Sequence, residues 1–234
     1  MSLIQAQNLQ KTYRTGEVEV NAVRGVDFAI EPKSFVVFVG PSGSGKSTLL
    51  NMIGCLDHPS SGKLTVLDTD VSSLDRRAAA NFRGQHIGFV FQDFNLIPVL
   101  TVYENIEYPL IMVQDWPERE RRKQILRLLD AVGMAGQENK RPDQISGGQK
   151  QRVAVARALA TNAQLVLADE PTANLDHDTA YRIINLMKSM RDQLGTTFVF
   201  STHDPKIMSE AEVVFTLEDG RIHQFAKESG AAHA

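Results

Sequence analysis

Residues 40–48 read GPSGSGKST and directly follow the apolar run FVVFV. Their spacing fits G-x-x-x-x-G-K-[ST], the pattern of a phosphate-binding loop. Glycines let backbone N–H groups curl around an anion, and a helix beginning near Gly45 would add the positive end of its dipole. The residues predicted to contact nucleotide phosphates are Gly40, Pro41, Ser42, Gly43, Ser44, Gly45, Lys46, Ser47 and Thr48.

Lys46 and Ser47 bring charge and a metal ligand to this loop. The lysine would supply a mobile positive charge for the β- and γ-phosphates, and the Ser47 hydroxyl an oxygen for Mg²⁺. A glycine-rich linker that happens to contain a lysine is the alternative. The apolar strand before the loop and the helix-like STLLNMIGCL after it favour the phosphate site. The loop alone does not separate a kinase from a GTPase or a transport ATPase.

A second pattern, QLVLADEPT, places two acids at the end of an apolar strand. Asp169 suits the Walker B role, in which a carboxylate holds Mg²⁺ through its water shell. Glu170 can activate a water for attack on a γ-phosphate. Two acids that end a strand could instead form a solvated turn, but a phosphate-binding loop in the same chain makes the catalytic interpretation the better one.

A third pattern, ISGGQKQRVAVARAL, opens a helix with a good N-cap and two glycines. Such a start leaves N–H groups at the positive end of the helix dipole, where anions bind. The residues predicted to bind an anion here are Ser146, Gly147, Gly148 and Gln149. The sequence therefore predicts two anion-binding helix N-termini in one chain.

Parallel strands must position these groups. The short apolar runs SFVVFVG, IGFVFQ, QLVLADE and TTFVFSTHD are typical of buried strands, and AYRIINLMKSMRDQLG is typical of a helix. The stretch from residue 93 to about residue 157 has helical patterning. Ligands bind at the carboxyl ends of the strands in open α/β sheets, so we expect the motif residues to meet at that edge.

The remaining segments predict further strands and one amphipathic helix. EVEVNAVRGVDFAIE indicates strands with a turn at Arg24-Gly25, KLTVLDTDV indicates one short strand, and AEVVFTLEDGRIHQF indicates a hairpin that turns at Asp219-Gly220. In ERERRKQILRLLDAVGM one face is apolar and Gly133 is a plausible cap. The apolar face comprises Ile125, Leu128, Leu129 and Val132. The basic residues expected to be solvated are Arg119, Arg121, Arg122 and Lys123.

Composition excludes several classes of protein. The 234 residues carry a net charge of −3, which gives no electrostatic case for nucleic-acid binding. The single cysteine, Cys55, excludes an internal disulfide framework and a multi-cysteine zinc site, and we expect it to be a small buried residue on the helix after the phosphate loop. We find neither a signal-peptide pattern nor an apolar run of membrane-spanning length. The chain is therefore expected to be intracellular, without direct membrane insertion.

These motifs, in this order, resemble those of the ATP-binding cassette (ABC) transporter ATPases over about residues 3–223. The resemblance implies ATP and Mg²⁺ as ligands. It implies that Tyr13 stacks on adenine, that Gln92 touches Mg²⁺ or the attacking water, and that Asp176 belongs to the D-loop. The implied catalytic residues are Glu170, His203, Gln92 and Lys46, with His203 contacting the γ-phosphate. The implied metal ligands are Ser47, Gln92 and Asp169.

The sequence departs from the family pattern at three places. Lys33-Ser34 occupies a turn where Gly-Glu is usual, and Cys55 stands where glycine is common. Ile145 replaces the commoner leucine before the third motif. None of these changes removes a chemical group from the predicted site.

The implied fold is α/β. It is a P-loop NTPase (RecA-like) core with an N-terminal antiparallel β subdomain and an inserted α-helical subdomain. We expect a single domain over residues 1–225, with the core at 1–92 and 158–225 and the helical subdomain at about 93–157. Residues 226–234 are expected to form a flexible tail, because they are small, polar and terminal.

The implied function is ATP hydrolysis that drives a separate membrane permease. Two subunits would form a head-to-tail homodimer around two Mg-ATP, on the cytoplasmic side of the inner membrane. The stretches GFVFQDFNLIPVLTVYENIEYPL and LVLADEPTANLD resemble the subgroup that serves lipoprotein release and macrolide efflux. Two alternatives are a soluble ABC-type ATPase that acts without a permease and a regulatory cassette that binds ATP without turnover.

Overall fold

The computed structural model describes residues 2–16 and 18–227. The chain divides into two compact units, which we call the first unit (Met1–Ala80 and Thr197–Ala234) and the second unit (Asn81–Thr196). The strands are β1 (Ile4–Thr15), β2 (Val18–Ile30), β3 (Phe35–Val39), β4 (Ser61–Val66), β5 (Thr69–Asp70), β6 (Ile87–Phe91), β7 (Leu165–Asp169), β8 (Thr197–Thr202), β9 (Val213–Glu218) and β10 (Arg221–Lys227). The helices are α1 (Lys46–Ile53), α2 (Arg76–His86), α3 (Val102–Pro109), α4 (Glu118–Ala131), α5 (Gly147–Leu159), α6 (His177–Leu194) and α7 (Pro205–Met208), with a π-helix at Leu110–Gln114.

An antiparallel sheet of order β2-β1-β4-β5 lies in the first unit, as the predicted N-terminal β subdomain requires. The predicted turn at Arg24-Gly25 is wrong, because β2 is continuous through both residues. Gly25 has a φ of 67° and lies where the pairing of β1 with β2 changes register between Leu9 and Gln10. The glycine therefore allows a β-bulge, which bends a strand without ending it.

A second correction concerns KLTVLDTDV, which forms a hairpin rather than one strand. β4 and β5 are antiparallel and pair Val66 with Thr69 across the two residues between them. Leu67 and Asp68 have φ values of 48° and 60°, so this turn needs two consecutive left-handed residues. Asn-Gly or Asp-Gly is the usual sequence signal for such a turn. Leucine at the first position gives no such signal, so the turn was not predicted.

The first unit also contains strands in the order β10-β9-β3-β8, with β3 parallel to both β8 and β9. Every residue of β3 is buried, which confirms the strand predicted from FVVFV. The aromatic rings of Phe35 and Phe200 pack with their centroids 4.9 Å apart. The hairpin at Asp219-Gly220 is confirmed, because β9 and β10 pair Glu218 with Arg221.

The second unit combines the parallel pair β6 and β7 with helices α3 to α6. The predicted apolar face is confirmed: Ile125, Leu128 and Leu129 of α4, together with Val132 directly after it, are at most 1% exposed. The basic face is only partly as predicted. The guanidinium of Arg121 lies 2.9 Å from a carboxylate oxygen of Glu107, and both side chains are largely buried. Arg121 therefore joins α4 to α3 instead of pointing into solvent.

The remaining predictions concern Cys55, the tail and the membrane. Cys55 is buried as expected, but it lies just beyond the end of α1 with a φ of 55°. Strand β10 continues through Lys227, and residues 228–234 of the predicted tail lie outside the described residues. Within residues 2–16 and 18–227, no helix is long and apolar enough to cross a membrane.

Candidate functional site

The predicted phosphate-binding loop connects β3 to α1 in the first unit. Gly45 precedes the first residue of α1 with a φ of 105°, and no side chain caps this helix. A Cβ atom at this position would collide with the carbonyl oxygen of Ala22 on β2. Glycine is therefore required here both by the backbone conformation and by the close approach of a strand, and the uncapped N–H groups suit an anion.

Two side chains in this loop support the interpretation as a phosphate site. The Nζ of Lys46 donates to the carbonyl oxygens of Gly40 and Pro41 at 2.8 and 3.0 Å. An ammonium group has three donors, so these two bonds leave one for a ligand. The Ser44 hydroxyl is buried and has no hydrogen-bond partner among the described residues. Buried polar atoms are rarely left unpaired, and a bound phosphate would satisfy this one.

The strand register of the first unit brings His203 to the phosphate loop. β3 pairs with β8 in parallel, and Val39 lies opposite Thr202. The next residue on each strand is Gly40 on one side and His203 on the other, so both follow adjacent carboxyl ends. His203 is exposed. The sequence prediction that the loop and this histidine share one edge agrees with the register.

Tyr13 lies on β1 of the same unit, opposite Val20 of β2. Its hydroxyl donates to Oδ2 of Asp57 at 2.7 Å, and Nζ of Lys11 lies 4.9 Å from its ring centroid. Burial, followed by the hydrogen bond to Asp57, raises the pKa of Tyr13, although a contact with the Thr48 side chain opposes this shift. The tyrosine is therefore close to the last residue of the phosphate motif.

In the second unit, the register of β6 and β7 brings together Gln92 and the two acids. Phe91 lies opposite Asp169, so Gln92 and Glu170 follow neighbouring carboxyl ends. Glu170 has a φ of 47°, an uncommon conformation for a residue other than glycine. Strained residues of this kind cluster at functional sites.

Asn174 ties the segment after β7 to the segment after β6. Its Nδ2 donates to the Gln92 carbonyl at 3.1 Å and to Oδ1 of Asp93 at 2.8 Å. The nearby residues Phe94 and Asn95 are held by the Arg157 guanidinium, which donates to both of their carbonyl oxygens, and burial lowers the pKa of Arg157. Sequence reasoning did not identify either contact.

Residues 146–149 open helix α5, as predicted, but their side chains form a capping box. The hydroxyl of Ser146 accepts from the N–H of Gln149 at 3.3 Å, and Oε1 of Gln149 accepts from the N–H of Ser146 at 2.9 Å. The spacing S-x-x-Q is a recognised sequence signal for this arrangement. A Cβ at Gly148 would come within 2.5 Å of Cγ2 of Thr179, so the second glycine lets this end of the helix lie close to α6.

Asp176 is the N-cap of α6, and its side chain accepts from the N–H of Thr179 at 3.1 Å. The hydrogen bonds from the side chain and backbone of Thr179 lower the pKa of Asp176. Asp176 was predicted to be a site residue only because it matches the D-loop pattern. In the structure its side chain caps α6 and so fixes the start of that helix.

The predicted site residues therefore fall into two groups, one in each compact unit. The first unit holds Tyr13, residues 40–48 and His203, and the second holds Gln92, residues 146–149, Asp169, Glu170 and Asp176. Among the residues that the structure describes, no cluster of three His, Cys, Asp or Glu side chains could hold a metal ion.

Comparison with known proteins identifies the same family as the sequence motifs. The family described as "ABC transporter" matches residues 23–173. The lipoprotein-releasing system ATP-binding protein LolD of Hahella chejuensis is 40% identical over 227 residues, covering 97% of this chain and 98% of LolD. The macrolide export ATP-binding/permease protein MacB of Rhodopirellula baltica is 42% identical over 94% of this chain, which spans only 32% of the MacB length.

Solved structures agree on the fold. The ATP-binding cassette MJ0796 of Methanocaldococcus jannaschii, in a dimeric post-hydrolysis state bound to ADP and Pi, matches with a TM-score of 0.88 and 42% identity. The match covers 97% of this chain and 100% of that structure. The predicted α/β fold of the P-loop NTPase type is thereby confirmed. The chain belongs to the ABC transporter family, as one of its ATP-binding and ATP-hydrolysing cassettes.

Proposed function

We propose that this chain is the ATPase subunit of a transporter whose membrane-spanning permease is a separate chain. The observation that carries the proposal is the presence of two helix N-termini suited to phosphate, α1 after Gly45 and α5 after Ser146, one in each compact unit. The names of the relatives add support, since LolD belongs to a lipoprotein-releasing system and MacB to macrolide export.

The two N-termini favour a composite site made by two copies of the chain. In a head-to-tail homodimer, each ATP would contact residues 40–48 of one subunit and residues 146–149 of the other. A twofold axis makes the two sites equivalent, so two nucleotides are bound per dimer. The dimeric MJ0796 structure, which contains ADP and Pi, supports this arrangement.

Hydrolysis would then open the dimer. The γ-phosphate is the group nearest the partner's α5, and its loss removes the contact that favours the closed state. The capping box of Ser146 and Gln149 fixes the start of α5, where the partner's phosphate would bind.

Magnesium fits the oxygen groups of this chain. Asp169 offers a carboxylate, Ser47 an exposed hydroxyl and Gln92 an exposed amide oxygen. Mg²⁺ prefers such hard oxygen ligands and usually combines one or two carboxylates with substrate phosphates. When bound, the ion would supply charge neutralisation on the phosphates. We infer that these three residues hold it.

The catalytic groups have distinct roles in this proposal. Lys46 would neutralise charge on the β- and γ-phosphates, and His203 would contact the γ-phosphate. Glu170 would orient the attacking water and accept its proton. The paired strand ends support this division, because Gln92 and Glu170 follow opposed residues of β6 and β7. Tyr13 would stack on the adenine.

A mixing experiment tests the composite site. Lys46→Ala removes the charge of the phosphate loop, and Ser146→Arg blocks the N-terminus of α5. Each variant alone should be inactive, and mixed subunits should regain ATPase activity because one site in each heterodimer is intact. The wild-type rate per subunit should also rise with protein concentration. Flat specific activity together with no recovery on mixing would show that each chain has a self-contained site.

The contact with the permease is proposed for the segment that follows Gln92. Pro98 keeps this segment out of a helix, and α3 begins only at Val102. Its apolar side chains stay accessible: Val99 is 72% exposed, and the others are half-buried. These half-buried residues are Leu96, Ile97, Leu100 and Tyr103.

Buried Asn105 holds this segment in one shape. Its Nδ2 donates to the carbonyl oxygens of Ile97, Leu100 and Thr101, and its Oδ1 accepts from the N–H of Ile97 at 2.8 Å. A rigid loop with half-buried apolar side chains suits a short helix laid into a groove. We therefore propose that a cytoplasmic helix of the permease binds here, beside Gln92.

The cargo proposed from the relatives is amphiphilic, such as a lipoprotein or a macrolide, which the permease would export or extract. The chain would work as a peripheral protein on the cytoplasmic side of the inner membrane. The absence of a spanning helix in the described residues is compatible with this placement. No role for nucleic acid is proposed, since the net charge is −3.

A further inference from the structure

The side chains of Lys11, Tyr13 and Asp57 form a closed cluster in the first unit. Nζ of Lys11 lies 2.5 Å from Oδ1 of Asp57, and the Tyr13 hydroxyl donates to the other carboxylate oxygen at 2.7 Å. The same ammonium lies 4.9 Å from the centre of the tyrosine ring. This distance between the ammonium and the ring centre is within the range of a cation–π contact. One carboxylate therefore ties a cation and a phenol to each other.

The backbone fixes Asp57 in this cluster. Asp57 lies just beyond α1, and its N–H donates to the Asn51 carbonyl at 3.2 Å. Its Oδ1 also accepts from the N–H of His58 at 2.7 Å, while Lys11 donates to the His58 carbonyl at 2.7 Å. The carboxylate thus has a defined position at the end of the helix that begins at the phosphate loop.

The charge state of the cluster agrees with its geometry. Burial by itself would raise the pKa of Asp57. The hydrogen bonds from Lys11 and Tyr13 nevertheless keep this pKa below its ordinary value. Asp57 is therefore ionised at neutral pH. The Lys11 side chain is only 12% exposed, so its ammonium depends on this carboxylate and on the His58 carbonyl for compensation.

This cluster limits the motion of the ring. The hydroxyl is held at one end, and the ammonium of Lys11 covers one face. Tyr13 nevertheless remains 39% exposed, so the cluster does not bury the side chain. A ring that is already immobilised loses less conformational entropy when a flat ligand stacks on it. The structure thus presents an exposed aromatic side chain that is held at its hydroxyl, in the unit that contains the phosphate loop.

We propose that Asp57 and Lys11 are positioning residues that hold Tyr13 as a stacking surface for a purine base, and that they set the base-dependent part of nucleotide affinity. This inference rests on the proposed contact of Tyr13 with adenine. Immobilising one side chain in advance is worth about a two- to tenfold gain in affinity. The phosphate-dependent part of the affinity belongs to residues 40–48 and does not depend on the cluster.

The base-dependent and phosphate-dependent parts of the affinity can be measured separately with two ligands. ADP carries a base and inorganic pyrophosphate does not, and neither is hydrolysed at the γ-position. Isothermal titration of the full chain would give the Kd of each ligand for the wild type, Tyr13→Ala, Tyr13→Phe, Asp57→Ala and Asp57→Asn. Asp27→Ala is the matched control, because Asp27 is a carboxylate of β2 in the same unit and accepts a hydrogen bond from the N–H of Asn8 instead of from Tyr13.

The expected result is a selective loss of ADP binding. Asp57→Ala and Tyr13→Phe should raise the Kd for ADP about two- to tenfold, and Tyr13→Ala should raise it further. Asp57→Asn keeps an oxygen for the tyrosine hydroxyl and should have a smaller effect than Asp57→Ala. Pyrophosphate should bind all five proteins and the control equally. Thermal unfolding without ligand would verify that each variant is folded.

Three outcomes would overturn the inference, and they differ in what else they imply. If Tyr13→Ala weakens ADP binding but Asp57→Ala and Asp57→Asn do not, the cluster is irrelevant and the role of Tyr13 stands. If Asp57→Ala weakens ADP and pyrophosphate equally, Asp57 supports the phosphate loop through α1. If Tyr13→Ala leaves the Kd for ADP unchanged, the proposed base contact fails as well.

Discussion

Replacing the buried Gln151 with methionine should leave the stability of the protein almost unchanged. Gln151 is 0% exposed on α5, and its Nε2 donates to the carbonyl oxygen of Pro171. Its Oε1 is buried and has no hydrogen-bond partner among the described residues. The side chain therefore contributes one satisfied bond and one desolvated, unpaired oxygen, and methionine of similar size removes both.

The two effects of this substitution on the free energy of unfolding nearly cancel. Leaving the Pro171 carbonyl without its donor costs about 1–3 kcal/mol, and removing a buried unpaired amide oxygen recovers about 1–3 kcal/mol. We expect Gln151→Met to change the free energy of unfolding by less than about 1 kcal/mol. Gln124→Met is the matched control, since Nε2 of Gln124 donates to both Ala160 and Asn162. Gln124 is not among the residues with a buried unpaired atom in the described parts of the chain, so its loss should cost about 1–3 kcal/mol.

Urea unfolding followed by tryptophan fluorescence measures this difference. The chain has one tryptophan, Trp116, which lies in the second unit together with both glutamines. The slopes of the three unfolding curves must agree before the midpoints are compared. If Gln151→Met is destabilised as strongly as Gln124→Met, then Oε1 of Gln151 has a partner such as a buried water, and the reasoning is wrong.

Three further predictions concern catalysis, coupling and pH. Glu170→Gln should bind ATP and lose turnover, because an amide cannot accept the proton of the attacking water; it should accumulate as a dimer on size exclusion with ATP, and phosphate release at the wild-type rate would contradict the role. Leu100→Asp or Tyr103→Asp should abolish transport while ATP hydrolysis by the isolated subunit stays near normal; intact transport with normal copurification of the permease would refute the docking surface. The ion pair of Asp57 should stabilise the fold above the ordinary carboxyl pKa and lose this contribution as the pH falls through the lowered pKa of the folded state. Asp57→Asn should therefore flatten the acid limb of a thermal unfolding profile, and an unchanged acid limb would show that another group titrates there.

The strands next to the site could be predicted because they are short, apolar and followed by polar motifs. β3 is buried over its whole length, and β7 over all but its last residue, which is the pattern of parallel strands covered on both faces. The sequence predicted only that these motifs meet at the carboxyl ends of the strands. The observed register then places Gln92 next to Glu170 and Gly40 next to His203. The candidate site residues can thus be recognised locally, because they come directly after these strands.

The turns were harder to predict, because residues other than glycine adopt left-handed backbone conformations. Leu67 and Asp68 do so in the missed hairpin, and Lys33 and Cys55 have φ values of 61° and 55°. The last two are the positions where glycine is common in the family, which the backbone now explains. Each of these residues carries a conformational cost that only tertiary contacts can offset.

The contacts that join distant segments could not be predicted from one sequence. Lys11 and Asp57 are 46 residues apart, and Asn174 reaches Gln92 across 82 residues. Neither pair belongs to a recognised motif, and polar residues near turns usually face solvent. Periodicity describes which face of an element is buried, but it does not say which polar side chains meet across elements.

The close approach of the Ala22 carbonyl oxygen to Gly45 holds β2 against the start of α1. It therefore fixes the distance from that point to the residues of β2 that pair with β1. Val20, which pairs with Tyr13, is two residues from Ala22, or about 7 Å along the strand. Substitutions in this interval leave that length intact. Insertion or deletion of one residue would shift Val20 by about 3.3 Å relative to Ala22 and would disturb the register in which Val20 pairs with Tyr13. The interval between Val20 and Ala22 should therefore tolerate changes of residue type far better than changes of length.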